Sequence, residues 1–303
     1  MLIKEIDFKN EVEFLNYLCS WNSQLKDYIF RGHSDENYKL LPTSLRKDQF
    51  NDVCKLSNNG FGDNNILDTA PNLVMAEKNI LRKFYRLSDL NGLNVPSSED
   101  FRSGLSFNSE SVFSLKNNDC TIEWLPESMW EVAALTQHYG LPTRLLDWTY
   151  DPFIAAYFAT KTSLKKKPSG YLNIWCLNKE RIGYYSSVFN ETTPLNFITP
   201  HYSSNPNISA QKGLFTHFST VINMISGEAA DRTPLDELLK EHLNTRVINT
   251  CDVFIKLRLE NKFAKSAFNF LNDFGYGSAR VFPGYEGIAM QLRNQANLTS
   301  KII

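Results

Sequence analysis

The sequence predicts an α+β fold, a small mixed β-sheet core flanked by helices. Short apolar runs with strand character alternate with helical stretches, but without strict strand–helix–strand periods, which argues against a Rossmann arrangement. The chain has 303 residues, 42% of them hydrophobic and 21% charged, enough for one domain over 1–303 with its own core. No internal repeat interrupts this reading.

Apolar positions at helical spacing (Val12, Phe14, Leu15, Leu18, Cys19, Leu25) predict a helix over 9–26, leading into a strand over 28–31. Residues 51–70, rich in Asn, Gly and Asp, read as a loop or insertion, and 73–87 as an amphipathic helix. Residues 91–120 are polar, with many Ser and Asn, and read as an insertion. A helix over 128–139 should close at Gly140, with Pro142 just beyond. A short strand over 145–148 then precedes a buried helix over 152–160, whose Ala155, Ala156 and Ala159 permit close approach to the sheet. Lys165 to Gly170 read as a basic turn, 171–177 as a strand, and 190–208 as a loop. Strands are expected over 208–218 and 252–259, a helix over 264–274 closed by Gly275, a strand or turn over 280–287, and a last helix over 287–295.

The formal net charge of -1 excludes a chain-wide polybasic surface, although 32 Lys and Arg leave room for a local basic groove. The five scattered cysteines (19, 54, 120, 176, 251) contain no C-x-x-C pair and no zinc-ligand spacing, so they read as free thiols, most of them buried, in a reducing compartment. Met1 to Asp7 lacks the shape of a signal peptide, and no apolar run is long enough to span a membrane, so a cytoplasmic protein without a metal is expected. Walker A, G-x-G-x-x-G, H-E-x-x-H and G-x-S-x-G are all missing.

Two segments carry chemistry. Gln137-His138-Tyr139-Gly140-Leu141-Pro142-Thr143-Arg144-Leu145-Leu146-Asp147-Trp148-Thr149 gathers an imidazole, a phenol, a guanidinium, a carboxylate and an indole, which suits the wall of a polar, aromatic pocket. Far upstream, Tyr28-Ile29-Phe30-Arg31-Gly32-His33 ends a short apolar strand on an arginine, costly unless an anion meets it. Arg31 reads as an anion clamp or as half of an ion pair with Asp147, and the two are compatible. His138 reads as a pocket residue or a helix cap. Tyr139 and Trp148 read as stacking faces or core aromatics, Gln211 as a polar reader or a backbone partner, and Glu286 as an active carboxylate or a helix cap. The lysines at 165–167 read as a solvated turn.

Four ordered segments, spanning about 28–292, resemble the FRG domain, a bacterial family named for its Phe-Arg-Gly motif. They are Phe30-Arg31-Gly32; Gln137-His138-Tyr139-Gly140 through Asp147-Trp148-Thr149 with Asp151-Pro152; Ala210-Gln211-Lys212-Gly213-Leu214-Phe215-Thr216; and Phe282-Pro283-Gly284-Tyr285-Glu286-Gly287-Ile288-Ala289. Their order is also similar to that of ADP-ribosyltransferases, which implies an ADP-ribosyltransferase-like fold. In those enzymes an Arg-Gly strand is followed by a polar strand leading into an Ala-rich helix, then by a Gln-x-Glu signature. Here Arg31-Gly32, Asp147-Trp148-Thr149 before Ala155-Ala156-Tyr157-Phe158-Ala159, and Gln211-Lys212-Gly213 stand in those places. Gly213 occupies the position of the expected glutamate, so either Glu286 supplies the carboxylate or no carboxylate is used.

The resemblance implies transfer of ADP-ribose from NAD through an oxocarbenium-like state. Arg31 and Arg144 would clamp phosphates, Tyr139 and Trp148 would offer stacking faces, and His138 and Asp147 would complete the NAD site. Glu286 would stabilise the ribose cation and Gln211 would read the acceptor. It further implies a toxin acting on nucleic acid, messenger RNA first, within a bacterial toxin–antitoxin–chaperone system of phage defence, with an antitoxin protein as partner. A NAD glycohydrolase and a non-catalytic nucleotide- or protein-sensing module are the competing readings.

Overall fold

The computed structural model describes residues 3–19, 23–57, 67–103, 120–164, 169–189, 193–203, 205–244 and 253–299. The chain opens with β1 (Ile3–Phe8), α1 (Glu11–Tyr17) and β2 (Tyr28–His33), followed by α2 (Phe50–Ser57) and α3 (Ala70–Leu90). Next come α4 (Glu99–Ser103), β3 (Thr121–Trp124), α5 (Trp130–His138), β4 (Leu146–Thr149), α6 (Pro152–Ser163), β5 (Tyr171–Asn178) and α7 (Lys179–Phe189). The remainder is β6 (Leu195–Ile198), α8 (Pro206–Ala210), β7 (Gly213–Phe218), β8 (Thr220–Asn223), α9 (Leu235–Asn244), β9 (Phe254–Glu260), α10 (Ala264–Asp273), α11 (Ser278–Val281) and α12 (Tyr285–Thr299).

Seven strands form one mixed sheet in the order β1-β9-β5-β2-β4-β7-β6, and β3 and β8 form a separate ribbon. Only β1 and β9 run parallel, so the sheet is antiparallel nearly throughout, as the lack of βαβ periods predicts. It consists of two well-paired halves. β2 pairs with β5 along all six of its residues, and β4 pairs with β7 along all four of its own. Between the halves, β2 and β4 share a single rung, Phe30 opposite Thr149. Past that rung the strands part.

The period of two along the strands sorts the core. Tyr28, Phe30, Leu172, Ile174, Cys176, Ile255, Leu257 and Leu259 face a layer made by α1, α6 and α10. Ile29, Trp175, Leu177 and Phe254 face the opposite layer, where Ile182 and Tyr185 of α7 meet Leu235, Leu239 and Leu243 of α9. Phe215 and Ile198, in the second half-sheet, pack with α3, α5 and the ribbon.

The helix α6 starts as its sequence dictates. Asp151 is the N-cap, its Oδ1 accepting from Phe153 N at 3.1 Å, and Pro152 opens the first turn. Its Ala face lies so close to β2 that a Cβ on Gly32 would stand 2.0 Å from the Ala155 carbonyl oxygen. Glycine in the Phe-Arg-Gly motif is therefore a packing requirement. The helix α5 ends in a Schellman motif: Gly140, at φ +86, donates to Gln137 O at 2.9 Å, and Leu141 donates to Thr136 O at 3.2 Å.

Several expectations are corrected. The first helix is shorter than 9–26, because Asn10 caps it and a 3-10 turn takes Ser23–Leu25. Helix α2 occupies the start of the stretch read as a loop, β6 lies inside 190–208, and α4 inside 91–120. Residues 208–218 divide into α8 and β7, because Lys212 adopts φ 46 and breaks the run. Of the strand or turn expected over 280–287 the turn holds, with residues 282–284 between the end of α11 and the start of α12. Of the described cysteines, Cys19, Cys54 and Cys120 are half-buried and Cys176 is buried. Residues 104–119 of the insertion, the lysines at 165–167 and Cys251 lie outside the described residues. No described helix is long and apolar enough to cross a membrane.

Replacing Gly32 with Ala should destabilise the protein by about 3 kcal/mol, the upper range for overpacking against backbone. Urea unfolding measures it, and an unchanged midpoint would refute the close contact with α6.

Candidate functional site

Where β2 and β4 part, a cavity of about 900 Å³ opens. Its walls are the end of β2, Asp147–Thr149 of β4, the C-terminal end of α5, one side of α6 (Ile154, Ala155, Phe158 and Thr162) and the segment 37–48. The two chemistry-bearing segments, more than a hundred positions apart, meet here.

Arg31 spans the gap. Its Nη1 donates to the Asp147 carbonyl oxygen at 2.7 Å and to Asp147 Oδ2 at 3.3 Å. The first contact serves a backbone acceptor beyond the last rung of the ladder. Arg31 Nε donates to His33 Nε2 at 3.0 Å, as two residues on one strand face permit. Asp147 Oδ2 also accepts from Gln137 Nε2 at 3.1 Å, and Gln137 Oε1 accepts from Thr143 Oγ1 at 2.9 Å. A chain of side chains thus runs from Thr143 through Gln137 and Asp147 to Arg31 and His33. Arg31 is 15% exposed and Asp147 52% exposed, so the arginine is held while the carboxylate meets solvent. Among the described residues, Arg31 Nη2 and Asp147 Oδ1 take no hydrogen bond. Each remains available to a ligand.

Because His33 accepts at Nε2, its ring is neutral and carries its proton on Nδ1. Burial, and then the Arg31 charge, push its pKa down to about 3. His138 is also pushed down by burial, against an opposing pull from Asp147, so it too meets the cavity as a neutral imidazole. Arg31, Lys39, Arg46 and Lys47 line the cavity against Asp48 and Asp147, a surplus of positive charge. Aromatic groups stand around it. Tyr139 is 61% exposed and stacks on Phe84 with centroids 6.4 Å apart. Phe158 and Phe282 meet edge to face at 6.1 Å on the α6 side.

The site residues expected from sequence divide. Arg31, His138, Tyr139, Asp147 and Gln211 line the cavity together. Gln211 sits at the end of α8 rather than on a strand. Its Nε2 donates to the Val281 carbonyl at 3.2 Å and its own carbonyl accepts from Thr149 Oγ1 at 2.6 Å, so much of it serves backbone. Trp148 touches the cavity wall, but its ring is 3% exposed and its indole N–H is held by Thr216 Oγ1 at 2.8 Å; it is a core aromatic, not a stacking face.

Arg144 does not reach the cavity. It lies buried against Glu77 of α3, Nε to Oε2 at 2.7 Å, with the two side chains 8% and 3% exposed. Glu77 also accepts from Ser44 Oγ at 2.5 Å and Trp124 Nε1 at 2.6 Å. Asp147 is on β4, whereas Arg144 lies in the bend before that strand, and its side chain runs to Glu77. Glu286 is exposed in the first turn of α12 and is not among the cavity residues. Gly213 stands opposite Thr149 at the start of β7.

Residues 26–168 match the family model of the FRG domain. The chain carries an FRG domain. That span holds β2, the α5 terminus, β4 and α6, and so most of the cavity wall. Within the FRG domain the three motif letters have separate physical duties: Phe30 fills the core, Arg31 bridges the gap and Gly32 admits α6. No curated protein and no solved structure shows a significant match to this chain.

Sequence reasoning missed Arg46, Tyr38 and Lys39. They lie between predicted elements with no pattern of their own, and only the spacing after Arg31 hints that the chain turns back over the strand end. Among the described residues, no group of three His, Cys, Asp or Glu is placed to hold a metal.

The depressed pKa of His33 has a sign that can be tested. A group whose folded pKa lies below its free value stabilises the fold above about pH 6.5, and this is lost as the pH falls toward about 3. Between pH 7 and 5 stability should fall, His33 contributing up to about 1.4 kcal/mol per unit. His33→Gln, measured by urea unfolding, should flatten that slope; an equal slope would contradict a buried neutral imidazole.

Proposed function

We propose that this FRG-domain protein is an NAD-dependent ADP-ribosyltransferase, with its active site in the cavity between β2 and β4. The observation that carries the reading is Arg31, fixed on Asp147 and His33 yet keeping Nη2 for a ligand, at the mouth of a positively charged, aromatic-rimmed cavity. A cavity of about 900 Å³ lies at the upper end for small-molecule sites and suits an extended dinucleotide. The order of the motifs along the chain, which resembles that of ADP-ribosyltransferases, supports the same reading by analogy.

In this reading Arg31 pairs with the NAD diphosphate through its planar fork. Tyr139 offers a flat face to a base, and neutral His138 bonds a ribose hydroxyl. Asp147 takes the part expected of Glu286: its open Oδ1 faces the cation that develops on the ribose. The bond between nicotinamide nitrogen and ribose C1′ breaks, and nicotinamide leaves with the bonding pair. An acceptor nitrogen or oxygen then bonds to C1′ and releases its proton to solvent. Nucleic acid, RNA first, is the proposed acceptor, in keeping with a translation-blocking toxin of phage defence that an antitoxin protein restrains in the cytoplasm; this part rests on the family resemblance alone.

Incubation with adenylate-labelled NAD and separate RNA, DNA and protein fractions tests it. Label on one polymer supports transfer, and label released only as ADP-ribose makes the protein a glycohydrolase. No NAD consumption with every acceptor present contradicts the proposal. Asp147→Asn should lower kcat by about a hundredfold while the melting temperature holds. Tyr139→Ala should weaken NAD binding by about 1 kcal/mol or more.

A further inference from the structure

We propose that Arg46 is a second anion ligand of the cavity, closing with Arg31 on the diphosphate of a nucleotide; this deepens the reading of the cavity as a nucleotide site and rests on it. Arg46 stands between two 3-10 turns, Thr43–Leu45 and Lys47–Gln49, and lines the cavity with Arg31. Its Nε donates to the Leu41 carbonyl at 3.2 Å, which fixes the guanidinium plane. Among the described residues neither Nη donates a hydrogen bond and no carboxylate pairs with it.

Two guanidiniums on one cavity repel unless an anion lies between them. Burial first and then the Arg31 charge lower the Arg46 pKa, against an opposing pull from Asp48 and Asp147, and the group stays charged at any physiological pH. Both arginines also act on buried His33, which they help to keep neutral. Asp147 is shared between Arg31 and Gln137 and gives Arg46 no direct contact. An anion with several oxygens, able to accept from two planar forks at once, is the ligand this arrangement selects.

The segment is not left to drift. Ser44 N donates to the Thr143 carbonyl at 3.3 Å, and Ser44 Oγ donates to Glu77, the partner of buried Arg144. Arg46 is thus held two residues from an anchor in the protein interior.

Calorimetric titration of the full chain with inorganic pyrophosphate and with ADP-ribose decides the matter. Wild type should bind both, Arg46→Ala should weaken both by about tenfold or more, and Arg46→Lys should recover part of the loss. Thermal unfolding should be unchanged in both variants, since the guanidinium carries no buried pair. If wild type binds ADP-ribose and Arg46→Ala binds it equally well, the assignment of Arg46 falls while the nucleotide reading stands. If wild type binds neither probe, both fall.

Discussion

The single rung between Phe30 and Thr149 is the constraint on which the rest depends. It joins two half-sheets that are each fully paired within themselves, and it leaves the strands on one side of it without a shared ladder. Unmet backbone groups at such an opening are costly away from water. Arg31 answers part of that cost by donating across the gap to the Asp147 carbonyl. The same guanidinium that closes the structure stands at the entrance to the cavity, so fold and site share one residue. The ion pair of Arg31 therefore leaves room for the ligand clamp proposed above.

The buried Glu77–Arg144 pair is the second pillar. Buried ion pairs add little net stability over apolar packing, but breaking one by removing a partner costs about 3–5 kcal/mol. Here the pair joins elements distant in sequence. Arg144 precedes β4, Glu77 belongs to α3, and the same carboxylate holds Trp124 at the ribbon and Ser44 in the segment beside the cavity. Its consequence for the site is indirect: it fixes the strand that presents Asp147 and the segment that presents Arg46.

Local rules carried much of the fold. The start of α6 at its proline, its alanine face, the glycine closing α5 and the alternating strand β9 each follow from a few neighbouring residues, and each stands where expected. The cavity residues in the two motif segments were legible too, because polar and aromatic groups crowded beside glycine and proline have little use in a core. Of the two readings of Trp148 the core one holds, because strand parity, set by pairing with β7, turns its ring inward, while Arg144 lies before β4 and is drawn to Glu77, which no local pattern announces. Glu286 stands in the first turn of α12, the place its helix-cap reading gave it, and outside the cavity lining. The parallel pairing of β1 with β9 joins the first and the last strand in chain order and has no local signal.

The central claim is that a nucleotide lies in the gap between β2 and β4 with its diphosphate on Arg31. A crystal structure of the chain with ADP-ribose tests it most directly. The account predicts the ligand in the opening beyond the Phe30–Thr149 rung, its diphosphate within hydrogen-bond distance of Arg31 Nη2 and a ribose beside Asp147 Oδ1. A ligand bound elsewhere, with Arg31 still engaged only by Asp147 and His33, would contradict it and leave the arginine as a structural clasp.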